Sequence, residues 1–275
     1  MTAPGPVTSP PVVGFVGVGQ MGRPMVDRLL AARLPLVFFA RRPEVVAEVT
    51  AAGGRALGSP AEVAAVSDVL IVCMFSDDQL RSVLLDDGTL AALRPGSIVL
   101  NHTTGSPALA RELAAAAPEG VAFLDCPVSG SAEDIAAGRL TVLVGGDPVV
   151  LERARPALDA YSEAVIHLGE VGAGQIVKLL NNLLFTVHLG LAGRMEALAG
   201  SVGVDRVALA QAVQRSSGQS YALDLLAFSP FEAVAPAAGP FLRKDVAVIR
   251  SVAAELGVDL GVLGDLARWV DDLPT

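Results

Sequence analysis

The chain is short of several things at once. Its 275 residues hold two cysteines, Cys73 and Cys126. That is too few for a disulfide framework and fits reduced thiols inside a cell, so the expected location is the cytoplasm. Three histidines are present. His167 and His188 show no metal-ligand spacing with each other or with a carboxylate, so no metal is expected. Aromatic residues make up 4%, which leaves Val, Leu and Ala to fill the core. Cations are outnumbered: the net charge is −9 and the pI about 4.8, which argues against nucleic acid as a partner. The N-terminus lacks the basic and apolar regions of a secretory signal, and residues 1–10, rich in proline, are expected to form a flexible tail. The longest apolar stretch, 174–193, is broken by Lys178, Asn181, Asn182 and His188, so no membrane span is expected.

What is present is apolar residue in abundance, 52% of the chain, arranged in a strand-then-helix rhythm. Apolar runs at 12–16, 36–39, 69–74, 97–100, 121–124, 141–144 and 165–168 are short enough for buried strands. Helical stretches are predicted at 21–32 and 107–117, and Pro43 is placed to open another. This alternation predicts an α/β fold, a Rossmann-type doubly wound sheet covered by helices on both faces. The rhythm then changes. Residues 173–198 read as one helix, and more helices follow at 205–216, 244–256 and 261–271. The expected layout is a cofactor domain over 11–168 and an all-helical domain for substrate and dimerisation over 169–275.

The turn Gly17-Val18-Gly19-Gln20-Met21-Gly22 follows a predicted strand and opens a predicted helix. In that context G-x-G-x-x-G is a dinucleotide fingerprint. Gly17 permits the tight turn, Gly19 lets the backbone approach a pyrophosphate, and Gly22 allows helix and strand to pack closely. The second strand ends in Ala40-Arg41-Arg42, where an NAD site usually carries a carboxylate for the ribose hydroxyls. Two guanidinium groups suit a 2′-phosphate instead. NADP(H) is therefore the expected cofactor, with NAD the less favoured; a solvated arginine pair is the alternative.

Four segments resemble the β-hydroxyacid dehydrogenase family, which includes 3-hydroxyisobutyrate dehydrogenase and tartronate semialdehyde reductase. They are GFVGVGQMGRPM from Gly14, DCPVSGS from Asp125 with GRLTVLVGG from Gly138, GAGQIVKLLNN from Gly172, and Lys244-Asp245. The resemblance implies an NADP(H)-dependent oxidoreductase that interconverts a β-hydroxy acid and its semialdehyde by hydride transfer. In that family the lysine matching Lys178 is the general acid/base, and the asparagine matching Asn182 helps position it or the substrate. The two are four apart and project from one helix face. An unperturbed lysine titrates near ~10.4, so the site is expected to lower that value by burial or nearby positive charge.

The resemblance further implies that Ser129, Gly130 and Ser131 hold the substrate carboxylate from a loop at the sheet's carboxyl edge. The family often has Gly where Ser131 stands. Thr103 and Thr104 are expected to line the cofactor and substrate respectively. Asn101 replaces the family's usual Asp, and His102 is expected to be structural. Met74, Phe75 and Ser76 match a loop that packs on the cofactor, and Lys244, at the opening of a late helix, is expected to reach it. Two alternatives stand beside this one. Imine reduction occurs on the same layout, but relatives with that activity usually lack the lysine. A non-catalytic NADP-binding module is the other.

Overall fold

The computed structural model describes residues 10–273; the tail expected at 1–10 lies outside them apart from Pro10. Two compact units divide the chain, one up to Lys178 and one from Leu179 onward.

The first unit is built on a six-stranded parallel sheet. Its strands are β1 (Val13–Val16), β2 (Leu36–Phe39), β3 (Arg55–Ala56), β4 (Val69–Val72), β5 (Ile98–Asn101) and β6 (Ala122–Asp125). They lie in the order β3-β2-β1-β4-β5-β6, the doubly wound arrangement. The run of Val, Leu, Ile and Phe in β1, β2, β4 and β5 is buried almost throughout, as expected when both sheet faces are covered. Those covers come from α1 (Gly22–Ala31), α2 (Pro43–Ala51), α3 (Pro60–Val66), α4 (Asp77–Arg81), α5 (Pro107–Ala116) and α7 (Pro148–Leu158). Two apolar clusters result: Phe15, Met25, Leu29 and Phe38 anchor one, and Val16, Leu70, Leu84 and Leu113 the other.

The strand order reverses between β1 and β4. Ligands of open α/β sheets bind outside the carboxyl ends at such a point. The loops after β1 and β4, residues 17–21 and 73–76, leave the sheet there.

One feature departs from the single sheet expected from the rhythm. β7 (Val128–Ser129), β8 (Leu140–Val144) and β9 (Ser162–His167) form a separate three-stranded sheet, with α6 (Ala132–Ala136) between β7 and β8. β7 runs antiparallel to β8, β8 parallel to β9, and a bridge from Asp125 to Gly145 links it to the end of β6. Strand direction depends on tertiary pairing, which a local apolar run does not encode.

The second unit is helical. α8 (Ala173–Ser201) enters it from the first unit, and α9 (Arg206–Gln214), α10 (Tyr221–Phe228), α11 (Phe231–Leu256) and α12 (Gly261–Leu266) follow. α8 is long and apolar enough to cross a membrane by length and composition. However, Leu179, Leu183, Val187 and Leu189 are buried in the unit's own core with Leu226, Leu242 and Ile249. α11 begins thirteen residues before the helix expected at 244–256. Pro236 and Pro240 lie inside it. Each removes one backbone donor but leaves the helix continuous, and interior prolines normally signal a break.

Candidate active site

The loop after β1 is shaped by contacts that only glycine satisfies. Gly17 has φ +103°, and a Cβ there would stand 2.1 Å from the carbonyl oxygen of Cys73. A Cβ on Gly22 would meet the Gly17 carbonyl at 2.2 Å and the Phe15 ring at 2.9 Å. Gly19 has nothing within 4 Å of such an atom, and Gln20 beside it is exposed. Val18 and Met21 turn toward the apolar core. The first turn of α1 receives no side-chain cap. Backbone N–H groups at the positive end of a ten-residue helix thus face an open approach, and these residues fit a pyrophosphate. At the end of β2, Ala40 packs on the core, while Arg41 and Arg42 are exposed. Arg42 Nε lies 3.9 Å from Glu44 Oε1, a loose pairing.

The loops after β4 and β5 are tied together. The Met74 N–H donates to Thr103 Oγ1 at 2.9 Å, and the Thr103 N–H donates to Asn101 Oδ1 at 3.0 Å. Asn101 therefore supplies the acceptor that an aspartate would, without its charge. Ser76 caps α4, and Asp77 accepts the Ser106 N–H at 2.9 Å. Phe75 is about half exposed and Thr104 partly buried.

His102 is sealed in the wall beneath. Its Nδ1 lies 2.6 Å from the Cys126 carbonyl and its Nε2 2.8 Å from the Tyr161 hydroxyl. A carbonyl only accepts, so Nδ1 carries the proton and Nε2 accepts from Tyr161. Burial lowers the imidazole from its usual value to about 4, which keeps it neutral. It braces the strand ends.

Ser129 is partly buried in β7, not in a loop, and Gly130 has φ +138°. Ser131 caps α6. Its N–H and hydroxyl both donate to Asp134 Oδ2 at 2.9 Å, and its oxygen accepts the Asp134 N–H at 3.2 Å. Hydrogen bonds from Ser131 and Arg139 hold the Asp134 carboxyl below its usual range. Both donors of Ser131 are thus engaged within its own capping box.

Lys178 is partly buried, one turn into α8. Just ahead of it sit two polar residues to which the sequence assigned no role. Asp125, at the end of β6, is wholly buried and accepts N–H groups from Gly172 at 2.7 Å and Gln175 at 2.8 Å. Burial pushes its carboxyl up, and those N–H bonds pull it back. Gln175 is also buried. Its Oε1 accepts the Gly105 N–H at 2.9 Å, and its Nε2 donates to the Thr103 carbonyl at 2.8 Å.

In the second unit Asn182 donates to Asp245 Oδ2 at 2.5 Å and accepts from Asn181 at 3.1 Å. Lys244 and Asp245 do not open a helix as expected; they lie in the middle of α11, with Lys244 Nζ 3.0 Å from Asp245. Among the described residues no group of three or more His, Cys, Asp or Glu is arranged to hold a metal ion.

Residues 12–169 match the family model described as the NAD-binding domain of 6-phosphogluconate dehydrogenase. Residues 172–271 match the one described as NAD-binding of NADP-dependent 3-hydroxyisobutyrate dehydrogenase. A 3-hydroxyisobutyrate dehydrogenase of Pseudomonas aeruginosa is 35% identical over 230 residues, 82% of this chain and 76% of that protein. The chain belongs to the β-hydroxyacid dehydrogenase family. It is also similar to an NAD-dependent L-serine dehydrogenase of the same organism, 39% identical over 81% of this chain and 74% of the relative. A solved 3-hydroxyisobutyrate dehydrogenase of Mycobacterium tuberculosis, with L-serine, superposes with TM-score 0.84 at 29% identity, covering 96% of this chain and 94% of the other. This family member is therefore an oxidoreductase of hydroxy acids with a nicotinamide-dinucleotide-binding domain.

Proposed function

We propose that the chain is an NADP(H)-dependent dehydrogenase that interconverts a β-hydroxy acid and its semialdehyde, with Lys178 as general acid/base. The observation that carries this is the chain's use of lysine. It has 20 Lys and Arg together; Lys178 and Lys244 are the only lysines, and the other eighteen are arginine. A protein that meets its needs for positive charge with arginine retains lysine where an amine must release a proton, which guanidinium does not do. Both lysines fall in segments that carry the family resemblance.

Bound nicotinamide supplies the hydride acceptor in oxidation and the hydride donor in reduction. In oxidation, Lys178 in its amine form takes the hydroxyl proton as the carbonyl forms. In reduction, its ammonium form returns a proton to the alkoxide oxygen. Ser129 and the Gly130 N–H hold the substrate carboxylate, and Thr104 lines the same place. Thr103, Met74, Phe75 and Ser76 form the wall behind the cofactor. Arg41 and Arg42 meet the 2′-phosphate, with the 17–22 loop on the pyrophosphate. Asn182 assists Lys178 and Lys244 serves the cofactor, roles carried by the family resemblance. L-serine and 3-hydroxyisobutyrate, the substrates in the relatives' names, share a primary alcohol one carbon removed from the carbon that bears the carboxylate, which supports a substrate of that form.

The same proposal takes 11–168 as the cofactor domain and 169–275 as the substrate and dimerisation domain of a cytoplasmic homodimer. The exposed row Leu180, Leu184, Leu191 and Leu198 on α8 supports the dimer. The test is an assay of NADPH against NADH over small semialdehydes, hydroxy acids and cyclic imines. NADPH preference with a β-semialdehyde is expected, and Arg41→Ala with Arg42→Ala should weaken NADPH use ~10-fold or more while sparing NADH. A preference for NADH contradicts the role given to the arginine pair, and turnover of imines alone contradicts the role given to Lys178.

A further inference from the structure

Helices of this chain are usually capped by the residue that precedes them. Ser59 caps α3, Ser106 caps α5 and Asp147 caps α7, each through its own side chain. α8 is different. The carboxylate that receives its first N–H groups belongs to Asp125, 47 residues before Gly172. The fit around that carboxylate is close. A Cβ on Gly145 would stand 2.3 Å from Oδ1, and a Cβ on Gly174 would stand 2.9 Å from Oδ2. Gly172 has φ +99°, which bends the chain so that its N–H points at Oδ1.

Gln175 adds a second tether in the same turn. Its side chain joins α8 to the Thr103 carbonyl and the Gly105 N–H, 72 and 70 residues away. Burying a carboxylate and an amide is unfavourable unless their bonds are made, and an apolar plug would fill the space at less risk. What the polar pair adds is direction: each bond fixes the helix against one strand end. Lys178 follows Gln175 by three residues, so its side chain leaves the same side of the helix one turn on.

We propose that Asp125 and Gln175 are positioning residues for Lys178. Asp125 ties the lysine-bearing turn to the end of β6, and Gln175 ties it to the segment after β5 that lines the nicotinamide side. This rests on the acid/base role of Lys178. A misplacement of about 1 Å can slow a reaction ~100-fold, so two tethers from different strands are a means of holding the amine in register.

The test is a double-mutant cycle on the full-length enzyme, with Gln175→Met and Asp125→Asn each made alone and with Lys178→Ala. Gln175→Met keeps the side-chain length, which guards against misfolding if Asp125→Asn proves too disruptive. The expected result for Gln175→Met is a ~100-fold fall in kcat, with substrate KM and NADPH Kd changed less than about threefold. In the Lys178→Ala background the same change should add less than about twofold, because a positioning residue has nothing left to position. A loss of equal size in both backgrounds, or no loss in either, overturns the proposal. Full turnover by Lys178→Ala would sink the acid/base assignment together with it. A dead Lys178→Ala beside a fully active Gln175→Met would sink the positioning role alone.

Discussion

Among the helices of the first unit, α1 and α8 have N-termini that the chain treats in opposite ways. At α1 the approach is glycine. Gly19 faces open space, and no side chain caps the first turn. At α8 the corresponding place is filled from within, by the buried carboxylate of Asp125. Both ends present N–H groups and the positive end of a helix dipole, which favour an anion. One stands open, and under the proposed function it receives the pyrophosphate of the cofactor. The other is filled by a carboxyl group of the chain itself, whose hydrogen bonds to the Gly172 and Gln175 N–H groups fix the helix. The difference teaches that the same local device can bind a ligand or build a site, depending on whether the chain supplies the charge.

The sharpest way to break this comparison is to close the open end. Gly17→Ala places a methyl 2.1 Å from the Cys73 carbonyl at a φ of +103°. The expected cost is about 2–4 kcal/mol of stability, seen as a lower thermal midpoint, together with a loss of cofactor affinity. An alanine variant with unchanged Tm and unchanged NADPH binding would show that the loop does not need the shape described.

A comparable effect on stability probes the filled side, where His102 braces the strand ends next to Asp125. Its folded value of about 4 lies below the usual 6.5, so the unfolded chain binds the proton more readily. Stability from this residue is complete above pH ~6.5 and is lost as the pH falls toward 4. At ~1.36 kcal/mol per pH unit, that gap is worth about 3 kcal/mol. Urea unfolding at pH 6.5 and at 4.5 should show His102→Asn losing less stability on acidification than the parent. Equal losses in the two proteins would remove His102 from the account.

The sequence made the open end legible and left the filled end obscure, for a physical reason. The residues from Gly17 to Gly22 lie within one turn, so strand, glycines and helix are read together. The apolar runs of β1, β2, β4 and β5 announce themselves through burial on both faces. Asp125 and Gln175 meet partners 47 to 72 residues away, and nothing local marks such a meeting. The separate sheet of β7, β8 and β9 escaped for the same reason. Ser131 is a different case: its Ser-x-x-Asp spacing is local and marks a capping box. Pro236 and Pro240 lie in the part of α11 that precedes residue 244, where interior prolines locally favour a break over a continuous helix.

The most direct measurement of the central claim is single-turnover hydride transfer in Lys178→Ala, with and without small primary amines in the buffer. The account predicts a fall of about 10²–10⁴-fold, partly restored by added amine, with cofactor still bound. A variant that transfers hydride at the parent rate, or one whose loss no amine relieves while Lys178→Arg stays active, would contradict it.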